Sequence, residues 1–203
     1  MITSELIIQD VISGNQGTVL DALSRIASSS THSQFYAAVA YANLRGVNAL
    51  FTAFGRSCEG WNGLPKRWLI TCDFGLMQPS ALRHLLRATN SQVRVPSGDF
   101  LLTHGLRPRE CFHPKLYVFQ CHREGSLALV VGSANLTAGG LGIGVEAVAQ
   151  IEAAPSRNQG EERAFRQLRQ SVDWFERAWA GATVVNEAFI SAYSGVRPRF
   201  VHD

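Results

Sequence analysis

Short runs of β-branched, aromatic and small apolar residues alternate along this chain with segments whose apolar residues recur every three or four positions. That alternation restricts it to an α/β layer fold. "TVLDALSRIA", from Thr18, places Val19, Leu23 and Ile26 at helical spacing, and Thr18 with Asp21 resembles a capping box. The "SSS" at 28–30 reads as a loop. "QFYAAVAYAN" predicts a buried strand, followed by a helix from about Leu44 to Gly55. "KRWLITCDF" predicts a second strand; Gly75 and Pro79 then interrupt the chain before a helix in "SALRHLLRAT". "QVRV" is a short strand stopped by Pro96, and "ECFHPKLYVFQC", "SLALVVGSAN" and "VEAVAQIE" predict three more. A long helix is expected from about Gln159 to Ala180, with Phe165, Leu168, Val172, Phe175 and Trp179 along one face. Arg163, Arg166 and Arg177 fall roughly opposite and read as a solvated face. The 203 residues suffice for one domain, 1–203, with a C-terminal helical segment from about 159.

Composition narrows the class further. Hydrophobic residues make up 46% and charged residues 17%, as in ordinary globular proteins. No apolar run reaches the roughly eighteen residues of a membrane span, and the N-terminal stretch lacks the basic region of a signal peptide. The expectation is a cytoplasmic protein without membrane association. The net charge of +3 permits an anionic partner without requiring one. Cys58, Cys72, Cys111 and Cys121 form no CxxC pair and are expected to be reduced. A zinc site could be assembled from Cys111, His113, Cys121 and His122, but that spacing matches no common zinc module, so no metal is expected.

The chemistry concentrates between Cys111 and Ala147. In a strand, residues two apart point to the same side, so His113 and Lys115 would share a face. Of the 19 Lys and Arg residues only Lys66 and Lys115 are lysines, and a compact ammonium is not interchangeable with a guanidinium fork. Ser133 and Asn135 are again two apart, and Glu146 follows after the Gly-rich "TAGGLGIG", which could bring backbone N–H groups close to an anion. These residue types meet the needs of phosphodiester chemistry. His113 can act as nucleophile; Lys115, Ser133 and Asn135 can bind phosphate oxygens; Glu146 can accept the second ring N–H of a histidine. His104, Arg107 and Arg109, just upstream, could line a nucleic-acid groove or form a plain exposed loop.

"HPK" followed by "GSANLTAGGLGIGVE" resembles the HxK and GSxN signature of the phospholipase D superfamily, in the branch of small bacterial endonucleases and restriction-enzyme catalytic domains. The resemblance is tightest over 111–147. It implies an α-β-α sandwich with a mixed central sheet, a phosphohistidine intermediate, no metal and no cofactor. By resemblance His113, Lys115, Asn135 and Glu146 are catalytic, with Ser133 joining Lys115 and Asn135 at the phosphate. Two positions depart from the pattern. Gln120 stands where many members carry Asp, and Gly144 where Asn is common.

The reading that follows is a metal-independent endonuclease acting on DNA, with RNA as the second candidate, in a setting such as restriction or defence. Two alternatives stand beside it: a hydrolase or transferase acting on phospholipid headgroups, and a nucleic-acid-binding module without turnover. The chain carries one HxK copy, whereas members with two copies supply both histidines from one chain, so a homodimer sharing its active site is expected. No helix-turn-helix or zinc finger is evident, which leaves target selection to a specificity domain or to a partner such as a helicase or ATPase.

Overall fold

A computed structural model describes residues 2–10, 14, 17–29, 32–121 and 125–198. In chain order the elements are β1 (Ile2–Asp10), α1 (Val19–Ser29), β2 (Gln34–Val39), α2 (Leu44–Ser57), β3 (Lys66–Ile70), α3 (Pro79–Arg87), β4 (Ser91–Val95), α4 (Gly98–Thr103), β5 (Lys115–Gln120), β6 (Leu127–Gly132), β7 (Val145–Ala153), α5 (Gln159–Ala180), β8 (Thr183–Val184) and α6 (Glu187–Val196). The strands form one sheet in the order β1-β7-β6-β5-β2-β3-β4-β8. β2, β3 and β4 run parallel, and the other neighbours are antiparallel.

Local sequence explains several boundaries. The capping box forms at α1: the Asp21 N–H donates to Thr18 Oγ1 at 3.0 Å, and the Thr18 N–H donates to Asp21 Oδ2 at 3.1 Å. Asn43 caps α2 by accepting from the Gly46 N–H at 2.8 Å. α1, α2, α3 and α6 pack on one face of the sheet, against Phe35, Ala37, Val39, Trp68, Tyr117 and Val130. α5 covers part of the other face, where Phe165, Val172, Phe175 and Trp179 meet Tyr36, Leu69, Leu116, Val118 and Leu129. The result is the expected α-β-α sandwich with a mixed sheet.

The structure moves some boundaries. Ser28 and Ser29 belong to α1 rather than to a loop. β3 stops at Ile70, and Asp73–Gly75 make a 3₁₀ turn in which Phe74 takes a left-handed conformation at φ 57°. β5 starts only at Lys115, because Pro114 has no N–H to give a ladder. β6 ends at Gly132, where a Cβ would lie 2.3 Å from the Ala147 carbonyl oxygen. β1, α4, β8 and α6 are elements the sequence reading did not anticipate.

The sheet gathers particular strand ends at one edge. Lys115 at the start of β5 pairs with Val39 at the end of β2, Leu116 with Val131 of β6, and Val145 at the start of β7 with Asp10 of β1. Beyond β2 the chain is sewn to the loop after β6. Leu136 N donates to Tyr41 O and Asn43 N donates to Leu136 O, both at 3.1 Å. Gly46 lets α2 approach this loop, since a Cβ there would meet Leu136 O at 2.5 Å.

The same substitution should therefore have opposite signs at two places in α2. Gly46→Ala is expected to lose about 1–3 kcal/mol by overpacking against backbone. Gly55→Ala, where a Cβ meets nothing within 4 Å, is expected to gain about 0.5–1 kcal/mol. Urea denaturation of both variants checks the pair, and equal stabilities would contradict the close approach at Gly46.

Candidate active site

The lead-in 111–114 is irregular and leaves His113 exposed, while Lys115 at the head of β5 is buried. Lys115 Nζ lies 2.7 Å from His113 Nδ1 and 3.2 Å from Nε2, and donates to the His113 carbonyl oxygen at 3.0 Å. An ammonium this near to both ring nitrogens at once stands against the face of the imidazole, not along one nitrogen's lone pair. Burial pushes the Lys115 ammonium below the ordinary lysine range, and the nearby Glu146 carboxylate acts in the opposite direction. The Tyr41 ring stands edge-on to His113, with centroids 6.1 Å apart.

Ser133 and Asn135 lie past the end of β6, not within a strand, so they do not share a face by pleat. Ser133 Oγ donates to Glu146 Oε2 and accepts from the Ala147 N–H at 3.0 Å. Glu146 is therefore placed against Ser133 instead of against the His113 ring. The cause is register: Gly132 pairs with Val148, which sets Ser133 opposite Ala147 and within reach of the preceding carboxylate. Asn135 Oδ1 accepts from the Tyr41 N–H at 3.1 Å, and its NH₂ makes no hydrogen bond among the described residues. Tyr117, fully buried on β5, donates to the Ala134 carbonyl at 3.2 Å and fixes the backbone just before Asn135.

The Gly-rich loop works differently from the expected anion cradle. Gly139–Ile143 form one π-helical turn. The Gly140 N–H goes to Thr137 Oγ1 at 3.0 Å, the Leu141 N–H to Thr137 O at 2.9 Å and the Gly144 N–H to Gly139 O at 2.8 Å. Three of the loop's donors are thus spent within it. Its glycines serve close packing: a Cβ on Gly140 would lie 2.3 Å from Asn135 O. The loop is held by a residue the sequence reading missed. Gln9 of β1, buried, donates to Gly139 O and Gly144 O and accepts from the Val19 N–H, each at 3.0 Å. Gly144, where Asn is common, is thereby tied down from outside the loop. Gln120, the other departure, sits at the far end of β5 from Lys115 and accepts from Tyr36 OH at 3.2 Å.

The remaining sequence candidates make other contacts. His104 stacks on Phe100 at 3.8 Å and its Nδ1 lies 2.9 Å from Phe100 O, while the Arg109 guanidinium lies 4.2 Å from the centroid of the same Phe100 ring. Arg107 is exposed. His122 of the zinc set lies outside the described residues, and among the described residues no three His, Cys, Asp or Glu side chains converge to hold a metal. No helix among the described residues is long and apolar enough to cross a membrane.

Two solved bacterial structures share the fold. NucT from Helicobacter pylori superposes with a TM-score of 0.59 at 12% identity, over 91% of this chain and 100% of that one. A phospholipase D family member, Nuc from Salmonella typhimurium, gives 0.55 at 13% identity, over 91% and 99%. No family model and no curated protein matches the sequence. At such identities the likeness is one of fold.

Lys115 should destabilise the protein that carries it. Its folded pKa is lowered, so the folded state resists the charged form. The penalty is complete below the depressed value and fades as pH rises towards 10.5, the ordinary lysine value. Lys115→Met is expected to melt higher than the wild type at pH 7, with the gap closing as pH rises towards 10. Thermal melts across that range check it; a variant less stable at pH 7 would show that the ammonium contributes net stability.

Proposed function

We propose that this chain is a nuclease of the phospholipase D superfamily that cleaves DNA or RNA without metal, through a covalent intermediate on His113. The observation that carries the reading is the Lys115 ammonium at 2.7 Å from the His113 ring, on the sheet edge that also holds Ser133, Asn135 and Glu146. A neutral imidazole nitrogen attacks phosphorus, forming a P–N bond as the P–O bond to the leaving oxygen breaks. Lys115, the free Asn135 NH₂ and Ser133 stabilise the charge that develops on the non-bridging oxygens. The leaving oxygen takes a proton from an acid, and water then attacks phosphorus and returns the electron pair to the imidazole.

One histidine cannot be nucleophile and acid at once, which supports a homodimer that brings two copies of His113 together. The molecule carries a surface suited to this. Leu6 and Ile8 of β1, Val145 of β7 and Val131 of β6 share the α5 face of the sheet by register, in the part that α5 leaves exposed. They are 71%, 42%, 62% and 39% exposed. An apolar patch beside the site supports this reading, since a two-fold interface is self-complementary. The chain is read as a single catalytic unit whose target selection comes from a partner, with helicase or ATPase as candidates.

One observation favours the phospholipid reading. A groove of about 510 Å³ runs from His113 between the sheet and α5, and Leu116, Leu129, Ile151, Leu168 and Trp174 make it apolar. Against it, the amphipathic helices α3 and α5 spend their apolar faces on the sheet and have none left to seat on a bilayer.

The test mixes wild type with increasing His113→Ala protein at constant total concentration, in EDTA, on plasmid DNA, a single-stranded RNA and phosphatidylcholine vesicles. Nucleic-acid cleavage is expected to survive chelation and to fall as the square of the wild-type fraction. A linear fall would remove the shared site, cleavage that needs magnesium would remove the mechanism, and turnover of vesicles alone would install the lipid reading. No turnover of any of them would leave a binding module.

A further inference from the structure

Cys111–Pro114 carry the exposed histidine outside any regular element, so something other than a ladder must fix it. The residue before it is held from two sides. The Phe112 side chain stacks on Trp174 of α5, rings 13° apart with centroids at 6.3 Å. The Phe112 N–H donates to Asp73 Oδ2 at 3.1 Å. Asp73 lies in the 3₁₀ turn after β3 and is only 3% exposed. Thr71, fully buried, donates its hydroxyl to Asp73 Oδ1 and accepts from the Asp73 N–H at 3.1 Å. A buried carboxylate bonded to neutral donors is costly and needs a reason.

The turn around Asp73 is itself constrained. Phe74 is left-handed, and its N–H donates to Leu106 O at 2.7 Å; Leu106 is left-handed too, at φ 62°. Both are non-glycine residues in a sparsely populated region, the kind of conformation that persists where surrounding contacts over-determine it. The Asp73 charge also reaches the next group. Burial first, then Asp73 and Cys111, hold the Tyr41 phenol above its ordinary range, and Tyr41 is the ring set edge-on to His113.

We infer that Asp73 is a positioning residue for His113: its carboxylate clamps the Phe112 amide to the end of β3 and so fixes where the imidazole stands against Lys115. The inference rests on the reading of His113 as nucleophile. Asp73 touches no reacting atom in this scheme. It acts through the backbone, and a shift of about 1 Å in an attacking group costs on the order of 10²-fold in rate. Asn at position 73 can keep an oxygen facing the Phe112 N–H; Ala cannot.

The experiment measures kcat and KM on bis(4-nitrophenyl) phosphate for wild type, Asp73→Ala, Asp73→Asn, Thr71→Val and His113→Ala. A small diester leaves the identity of the natural substrate out of the comparison. Asp73→Ala is expected to lose about 10²-fold in kcat with KM little changed, and Asp73→Asn to recover most of that loss. A purely structural role would instead lower the melting temperature and leave the kcat of the folded fraction intact, which would overturn the inference. Equal losses in Asp73→Ala and Asp73→Asn would overturn it too, since charge rather than the amide clamp would then matter. Should Asp73→Ala fail to fold, Thr71→Val decides. It frees the carboxylate while leaving it in place, and an unchanged kcat there counts against the clamp. Full activity in His113→Ala would defeat the reading of the site, whereas a dead His113→Ala beside a fully active Asp73→Ala defeats this inference alone.

Discussion

A lysine at the buried head of a central strand has to find acceptors, and the geometry around it follows from where they come from. Lys115 takes them from His113, through the ring and the carbonyl two residues back. That is possible only because Pro114 prevents the ladder from extending to His113 and lets the chain fold over the strand end. The antiparallel insertion of β5 between β2 and β6 then decides which other residues stand beside the pair. The end of β2 delivers Tyr41, and the end of β6 delivers Ser133 and Asn135. With β5 in the reverse direction, Lys115 would sit at the edge where Gln34 and Gln120 now pair.

The loops at this edge are built by backbone meeting backbone. Gly46, Gly132, Gly140 and Gly144 each occupy a spot where a Cβ would fall under 3 Å from a main-chain atom. Such contacts leave little freedom to the Asn135 segment, which is pinned from β2, from α2 and from its own π turn. Gln9 closes the arrangement by satisfying three main-chain groups on two other elements. Fixing donors before substrate arrives lowers the reorganisation that charge development demands. The four glycines and Gln9 thus belong to the architecture of the site as much as the polar side chains do.

Local signals were legible and remote ones were not. The capping box at Thr18 and Asp21, the span of α5, the strands β5, β6 and β7, and the pairing of His113 with Lys115 are all written in residues within a few positions of one another. The pairing does not come from a shared strand face, since His113 is not in a strand and meets Lys115 by folding back. Gln9 sits in "LIIQD", where an isolated amide among apolar residues reads as a strand surface; the two carbonyls it donates to lie 130 and 135 residues away. Asp73 reads as the polar end of a strand, and nothing nearby points to Phe112. Ser133 with Glu146 depends on β6–β7 register, which spacing alone does not fix. β1 escaped notice because half of its apolar residues, Leu6 and Ile8, face outward.

The scarcity of lysine invites a reading that the structure tempers. Lys66, the other lysine, is buried too. It donates to Leu64 O at 2.7 Å and Thr89 O at 2.9 Å, reaches Asn62 O at 3.4 Å, and lies 4.6 Å over the Trp61 ring. Burial pushes it down to about 8. Both lysines of an Arg-rich chain therefore occupy enclosed sites, Lys66 among three carbonyl oxygens and Lys115 against one carbonyl and an imidazole, where a compact ammonium fits and a planar guanidinium does not. Rarity thus tracks burial rather than chemistry. What separates the two is the acceptor. Lys66 spends its protons on main-chain oxygens inside the fold. Lys115 holds one against an imidazole on an exposed residue, and under the proposed function a phosphate oxygen at His113 takes that hydrogen bond in the ring's place. Only the second arrangement leaves a buried cation with something to exchange.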